Sequence, residues 1–179
     1  IGIKGISLMM IQAGRNETME KDKVVFEKIR IWTRLTPYQR KQKNYKMNNL
    51  FENVTKKKYA FLRGMFSLMH HSFMRSADMS YRAKSLHEAT LTVLALKQWG
   101  LAKGQYPAEL NQLLNDKYLK RLPDDPYSNT TLQYKKTDDN FILYSVGADF
   151  IDNGGISDPN DRWGEEGADR VYWPITNKQ

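Results

Sequence analysis

Between Ser85 and Lys103 apolar residues recur at helical period, and at Gly104 the period stops. Leu86, Ala89, Val93, Leu96 and Gly100 fall three or four residues apart, which puts them on one face of an α-helix. Ser85, with Glu88 three residues on, has the form of a capping box. Gly104 supplies a left-handed stop. Beyond it Pro107, Pro123 and Pro126 punctuate the chain, and the leucines at 110, 113 and 114 suit a short helix starting at Pro107. The runs "LQYKK" and "FILYSV" read as strands, and "TDDN" between them has hairpin spacing. Val171 to Trp173 suits one last short strand. An apolar helix stripe has to be covered, and the strands that follow are what can cover it. The expected fold is therefore α+β, a long helix packed on a small antiparallel sheet. Leu86, Val93 and Leu96 are expected to be buried against the 132–146 hairpin.

Upstream the chain reads as a helical N-terminal region. Val25, Ile29 and Trp32 share a helical stripe in residues 22–34. Thr36 before Pro37 has the form of an N-cap followed by proline at the first helical position. Residues 38–58 are polar and basic, anchored by Leu50, Phe51 and Val54. Residues 59–74 form a second apolar run, with Phe61, Met65, Leu68 and Met69 on one stripe. Methionine suits irregular contacts between helices. The opening Ile1–Gly14 is apolar but interrupted by Lys4 and too short to span a bilayer. An ordinary buried helix is expected there, with the tail of a removed anchor as the alternative.

Charge divides the chain at about the same place. Residues 1–80 hold 16 Lys and Arg against 6 Asp and Glu, whereas residues 81–179 hold 12 against 14. Two regions are expected: a basic helical one over 1–80 and an α+β domain over 81–179. The interleaving of Lys, Arg and Tyr in 38–58 fits either a footprint for nucleic acid or anionic membrane, or a solvated helix face. The chain contains no cysteine, which excludes disulfides and zinc–thiolate sites.

After the hairpin, "VGADFIDNGGISDPND" collects Asp149, Asp152, Asp158 and Asp161 with Asn153, Ser157 and Asn160. Calcium takes six to eight hard oxygens in flexible geometry, and glycines at 147, 154 and 155 let backbone carbonyls turn inward. The other reading is a surface turn whose aspartates cap backbone groups. The spacing is not that of an EF-hand.

Taken in order, these pieces resemble a known family. Gly104, Tyr106 and Pro107, then Leu122, Pro123, Asp125 and Pro126, then Tyr144, Ser145, Gly147, Ala148 and Asp149, then Gly154 and Gly155 match its pattern. It is the C-terminal globular domain of the major pseudopilin of type II secretion systems. The likeness covers residues 82–173, about half the chain. The family's long apolar N-terminal helix is missing, and "DPYSNTTLQY" is longer than its tight turn. The resemblance implies a non-enzymatic structural or interaction module of a bacterial cell envelope, extracytoplasmic and with protein partners. It also implies calcium in the loop. Carried over by position, the ligands are the carbonyl of Val146 with Asp149 and Asp158, and Asp161 or Asp169 beside them.

Little else suggests chemistry. His70 and His71 are adjacent and point about 100° apart on a helix, and His87 stands alone. Asp124 and Asp125 lie between prolines in a turn, where neighbouring side chains diverge. There is no glycine-rich phosphate loop, G-x-S-x-G or cysteine nucleophile. No enzyme activity is expected.

Overall fold

A computed structural model describes residues 15–45, 60–158, 160, 163 and 167–174. The chain divides into two compact units, 1–79 and 80–179. The expected helix over 1–14, the anchors Leu50, Phe51 and Val54, and Asp161 all lie outside the described residues.

In the first unit, α1 spans Arg15–Arg34 and α2 spans Pro37–Gln42. Val25, Ile29 and Trp32 are buried, as their spacing predicts. Thr36 caps α2 in a full capping box with Gln39, and Pro37 occupies the first turn. Proline has no N–H to lose there, and its fixed φ already suits a helix. Arg40, from the basic stretch, is buried rather than solvated. Its guanidinium lies 3.6 Å from the Trp32 ring centroid, its Nε donates to Trp32 O at 3.1 Å, and it pairs with Asp78 at 3.2 Å.

The two apolar runs expected as separate helices are one, α3, over Ala60–Lys103. Ser85 therefore lies inside a helix and caps nothing. Glu88 instead forms an ion pair with Arg121. Leu68 is exposed, and the side chains of Phe61, Met65 and Met69 lie outside those described. Gly104, at φ +73°, ends α3 as expected, its N–H donating to Gly100 O at 2.9 Å.

The second unit places α3 against a three-stranded antiparallel sheet of order β1–β2–β3. The strands are β1 (Gln133–Lys136), β2 (Phe141–Ser145) and β3 (Arg170–Trp173). β1 and β2 pair from Gln133 opposite Tyr144 to Lys136 opposite Phe141, so residues 137–140 make the hairpin turn. The core joins Ala89, Leu96 and Trp99 of α3 to Leu132, Phe141 and Leu143. Val93 is partly buried against it. The short helix α4 spans Asn111–Asn115, four residues later than Pro107, with Leu110 and Leu113 buried.

Leu86 is a correction: it is 46% exposed. Ala89 and Leu96 of the expected stripe are buried, and Ser85, Thr92 and Trp99, not Leu86, complete the buried face of α3. One residue is about 100° of helix, enough to turn Leu86 off the core. Ser85 holds the inward place because its hydroxyl meets the Tyr172 hydroxyl at 2.6 Å. A register shift between Leu143 and Tyr144 leaves Tyr172 out of the β2–β3 pairing.

Candidate functional site: the acidic loop

The described residues of the loop between β2 and β3 form no helix or strand, so their backbone amides must find other partners. Three carboxylates supply them. Asp149 accepts from Ile151 N at 2.9 Å through Oδ1 and from Gly167 N at 3.1 Å through Oδ2. Asp152 Oδ1 accepts from Gly154 N at 2.8 Å and from the Tyr144 hydroxyl at 3.0 Å. Asp169 is 1% exposed and accepts from Asn153 N at 3.1 Å and Gly155 N at 2.6 Å, one on each oxygen. Its own N–H donates to Ile156 O at 2.7 Å, so this residue holds both strands of the loop. Gly155 sits at φ +86°, and a Cβ there would lie 3.1 Å from Ile142 Cγ2 and 3.3 Å from the Tyr144 ring. Only glycine fits that approach of the loop to β2.

A fourth carboxylate joins the preceding turn to the sheet. Asp125 is buried, and its Oδ1 accepts from Tyr127 N at 3.0 Å and from Ser145 Oγ at 2.8 Å. Its Oδ2 accepts from Val146 N at 3.2 Å. Burial pushes the Asp125 carboxyl above the ordinary range, against the opposing pull of these hydrogen bonds. Burial also raises Asp169. The hydrogen bonds from Gly155 and Asn153 act the other way, while the charges of Asp152 and Asp149 add to the rise. The Tyr144 phenol is raised too, by burial first and then by its bond to Asp152.

The expected calcium ligands among the described residues sit in different surroundings. Val146 is buried at the end of β2, and Asp149 spans the base of the loop. Asp158 is exposed and turned into a local bond from Asn160 N at 2.7 Å. Among the described residues no three Asp, Glu or His side chains form a group able to hold a metal. Asp149 and Asp152 lie near enough to Asp169 for their charges to act on it.

Asp125 and Asp124 separate as expected of a turn: Asp124 is exposed and pairs with Arg121 at 3.2 Å. His87 is exposed on α3, and the side chains of His70 and His71 lie outside those described. Sequence reasoning missed the Asp125 anchor, the Ser85–Tyr172 pair and the setting of Lys97 described below. No helix among the described residues is long and apolar enough to cross a membrane. No family model, curated protein sequence or solved structure matches the chain.

Proposed function

We propose that this chain is a non-enzymatic, pseudopilin-like structural and interaction module of a bacterial cell envelope, with protein partners there. One observation carries the reading. The buried carboxylates Asp125 and Asp169, the best placed for acid–base work, are committed to backbone amides that hold the loop on the sheet. Carboxylates engaged in this way suit a structural and recognition role more than turnover. The order of helix, "GQYP", hairpin and acidic loop supports the envelope placement through the family it resembles. Fractionation of the source cells, followed by cross-linking of the full chain, tests both parts. Recovery with envelope proteins is expected. Recovery in the cytosolic fraction, with no envelope protein cross-linked, would refute the placement.

Calcium belongs to the same proposal, on the loop's donor chemistry. Millimolar-scale calcium should raise the melting temperature above that in chelator, by mass action on the folded state. Magnesium should do less, because it demands a tight octahedron and gives up water reluctantly. Asp149→Asn should weaken the effect. Equal melting temperatures in calcium and chelator would remove calcium and leave the interaction role standing.

A second reading rests on charge: the basic stretch 38–58 contacts nucleic acid or anionic membrane. Of its described cations, Lys41 and Lys43 are exposed, while Arg40 is engaged with Trp32 and Asp78.

A further inference from the structure

At the opposite end of β2 from the acidic loop, a cavity of about 370 Å³ opens beside the end of α3. Lys97, Gly100 and Leu101 line it from the helix, Tyr106 from the segment after it, and Asp138 and Asp139 from the β1–β2 turn. We propose that this pocket binds a small ligand with a carboxylate at one end and a cationic group at the other, of the basic amino-acid class.

Lys97 is the first reason. Its ammonium donates to the Tyr106 hydroxyl at 2.9 Å. It stands 4.1 Å from the Trp173 ring centroid, 5.2 Å from Tyr106 and 5.3 Å from Phe141. Ring faces attract a cation through their quadrupole and fix where it sits, but they do not cancel its charge. Among the described residues Lys97 belongs to no ion pair within 4.0 Å. A carboxylate is the partner this ammonium still lacks, and a charge-assisted hydrogen bond between them is of the strong kind.

Asp138 and Asp139 are the second reason. Both are exposed at the turn, and neither is in an ion pair among the described residues. Neither comes within 4.0 Å of the Lys97 ammonium, although all three line one cavity. Opposite charges held apart across a pocket suit a ligand whose own charges are separated and reversed. The lining also offers apolar surface on Leu101, which is 89% exposed, and on the Tyr106 ring. Gly100 is closely approached by the Tyr106 ring, so a Cβ there would lie 3.0 Å from Tyr106 Cε1. A methylene stem fits that surface. The volume lies near the lower end for small-molecule pockets, which favours one amino acid over a longer peptide.

The pocket does not depend on the envelope reading, since its residues are separate from those of the acidic loop. Titration of the full chain, followed by NMR or calorimetry, tests it with three probes. L-Arginine carries both charged ends, agmatine lacks the carboxylate, and L-norvaline lacks the side-chain cation. Arginine should bind saturably, and each of the others about tenfold more weakly or worse, the factor expected for one lost charged hydrogen bond. Lys97→Met should erase the preference for arginine over agmatine. The double variant Asp138→Asn, Asp139→Asn lies in an exposed turn and should erase the preference over norvaline. No saturable binding of arginine would overturn the proposal, as would equal binding of all three probes. Arginine affinity in the double variant equal to that of the wild type would overturn it too, whatever Lys97→Met does to folding.

Discussion

Asp125→Ala asks how firmly the turn before β1 is joined to the end of β2. The residue is 3% exposed, and its carboxylate satisfies two backbone amides, Tyr127 N and Val146 N, and the Ser145 hydroxyl. Alanine removes all three acceptor contacts. The hydroxyl can rotate, and it already accepts from Gly147 N at 3.2 Å, so its loss is small. The two amides cannot turn away, and each buried donor left unsatisfied costs about 1–3 kcal/mol. Relief from burying a charge offsets part of this, which leaves a net loss of about 2–4 kcal/mol. In a domain of about 100 residues that is a fall of about 10–25 °C in melting temperature. Urea unfolding followed by circular dichroism measures it. Asp125→Asn keeps one acceptor oxygen but sets an NH2 against a donor, so it should fall between wild type and alanine. The pH dependence follows from burial. The folded protein holds the Asp125 proton more tightly than the unfolded chain does, because its carboxyl is raised. That contribution is fully present below the unfolded value of about 3.9 and is lost as pH rises through the raised folded value. The stability gap between wild type and Asp125→Asn should therefore widen as pH falls through this window. An alanine variant within about 1 kcal/mol of wild type would refute the structural reasoning. A gap that narrows in acid would show that hydrogen bonds outweigh burial.

The remaining expectations concern packing, the Tyr172 contact and the basic stretch. Leu96 is fully buried, so Leu96→Ala should cost about 2–5 kcal/mol in urea unfolding, whereas Leu86→Ala should stay within about 0.5 kcal/mol. Equal losses would place the helix stripe wrongly. Tyr172→Phe leaves the Ser85 hydroxyl without its 2.6 Å partner and should cost about 1–2 kcal/mol by the same assay. If residues 38–58 bind a polyanion, affinity for duplex DNA or anionic vesicles should fall steeply with salt through counterion release. No binding at low salt would refute that reading.

The α+β architecture was legible because its strongest signals are backbone signals. The strand-like run "FILYSV", the hairpin spacing of "TDDN" and the stop at Gly104 each act over a few residues, and each appears in the structure. The Val25–Ile29–Trp32 stripe was legible because large apolar residues carry it. The inner face of α3 was legible only in part, because small and polar residues share it. Ser85 and Thr92 are buried there, while the leucines at 86, 91 and 94 face outward. Hydrophobicity alone therefore puts Leu86 on the buried face in place of Ser85, while it places Ala89 and Leu96 correctly. The apparent cap at Ser85 misled for a related reason, since no proline breaks the chain from Ala60 to Lys103. In the acidic loop the residue types were legible and their partners were not. Asp125 looks like an ordinary turn aspartate, but two of its partners lie 20 and 21 residues ahead. Such a pairing leaves no local mark on the sequence.

Those long-range bonds bear on what a cation would do. A loop with few ladder bonds must satisfy its amides in some way or lose free energy for each one buried. Here Asp149 reaches Gly167 across 18 residues, and Asp169 reaches back to Asn153 and Gly155 across 16 and 14. These bonds tie the described ends of the loop to one another. The same closure concentrates negative charge, which is why Asp152 and Asp149 add to the rise at Asp169. A cation would therefore relieve repulsion in a loop already shaped, and would not fold it from disorder as metals do in zinc fingers. The calcium effect should then be a shift in melting temperature with secondary structure retained in chelator. Circular dichroism of the chelated protein decides this. Loss of strand signal in chelator would mean that the metal, and not the aspartate–amide bonds, holds the end of the sheet.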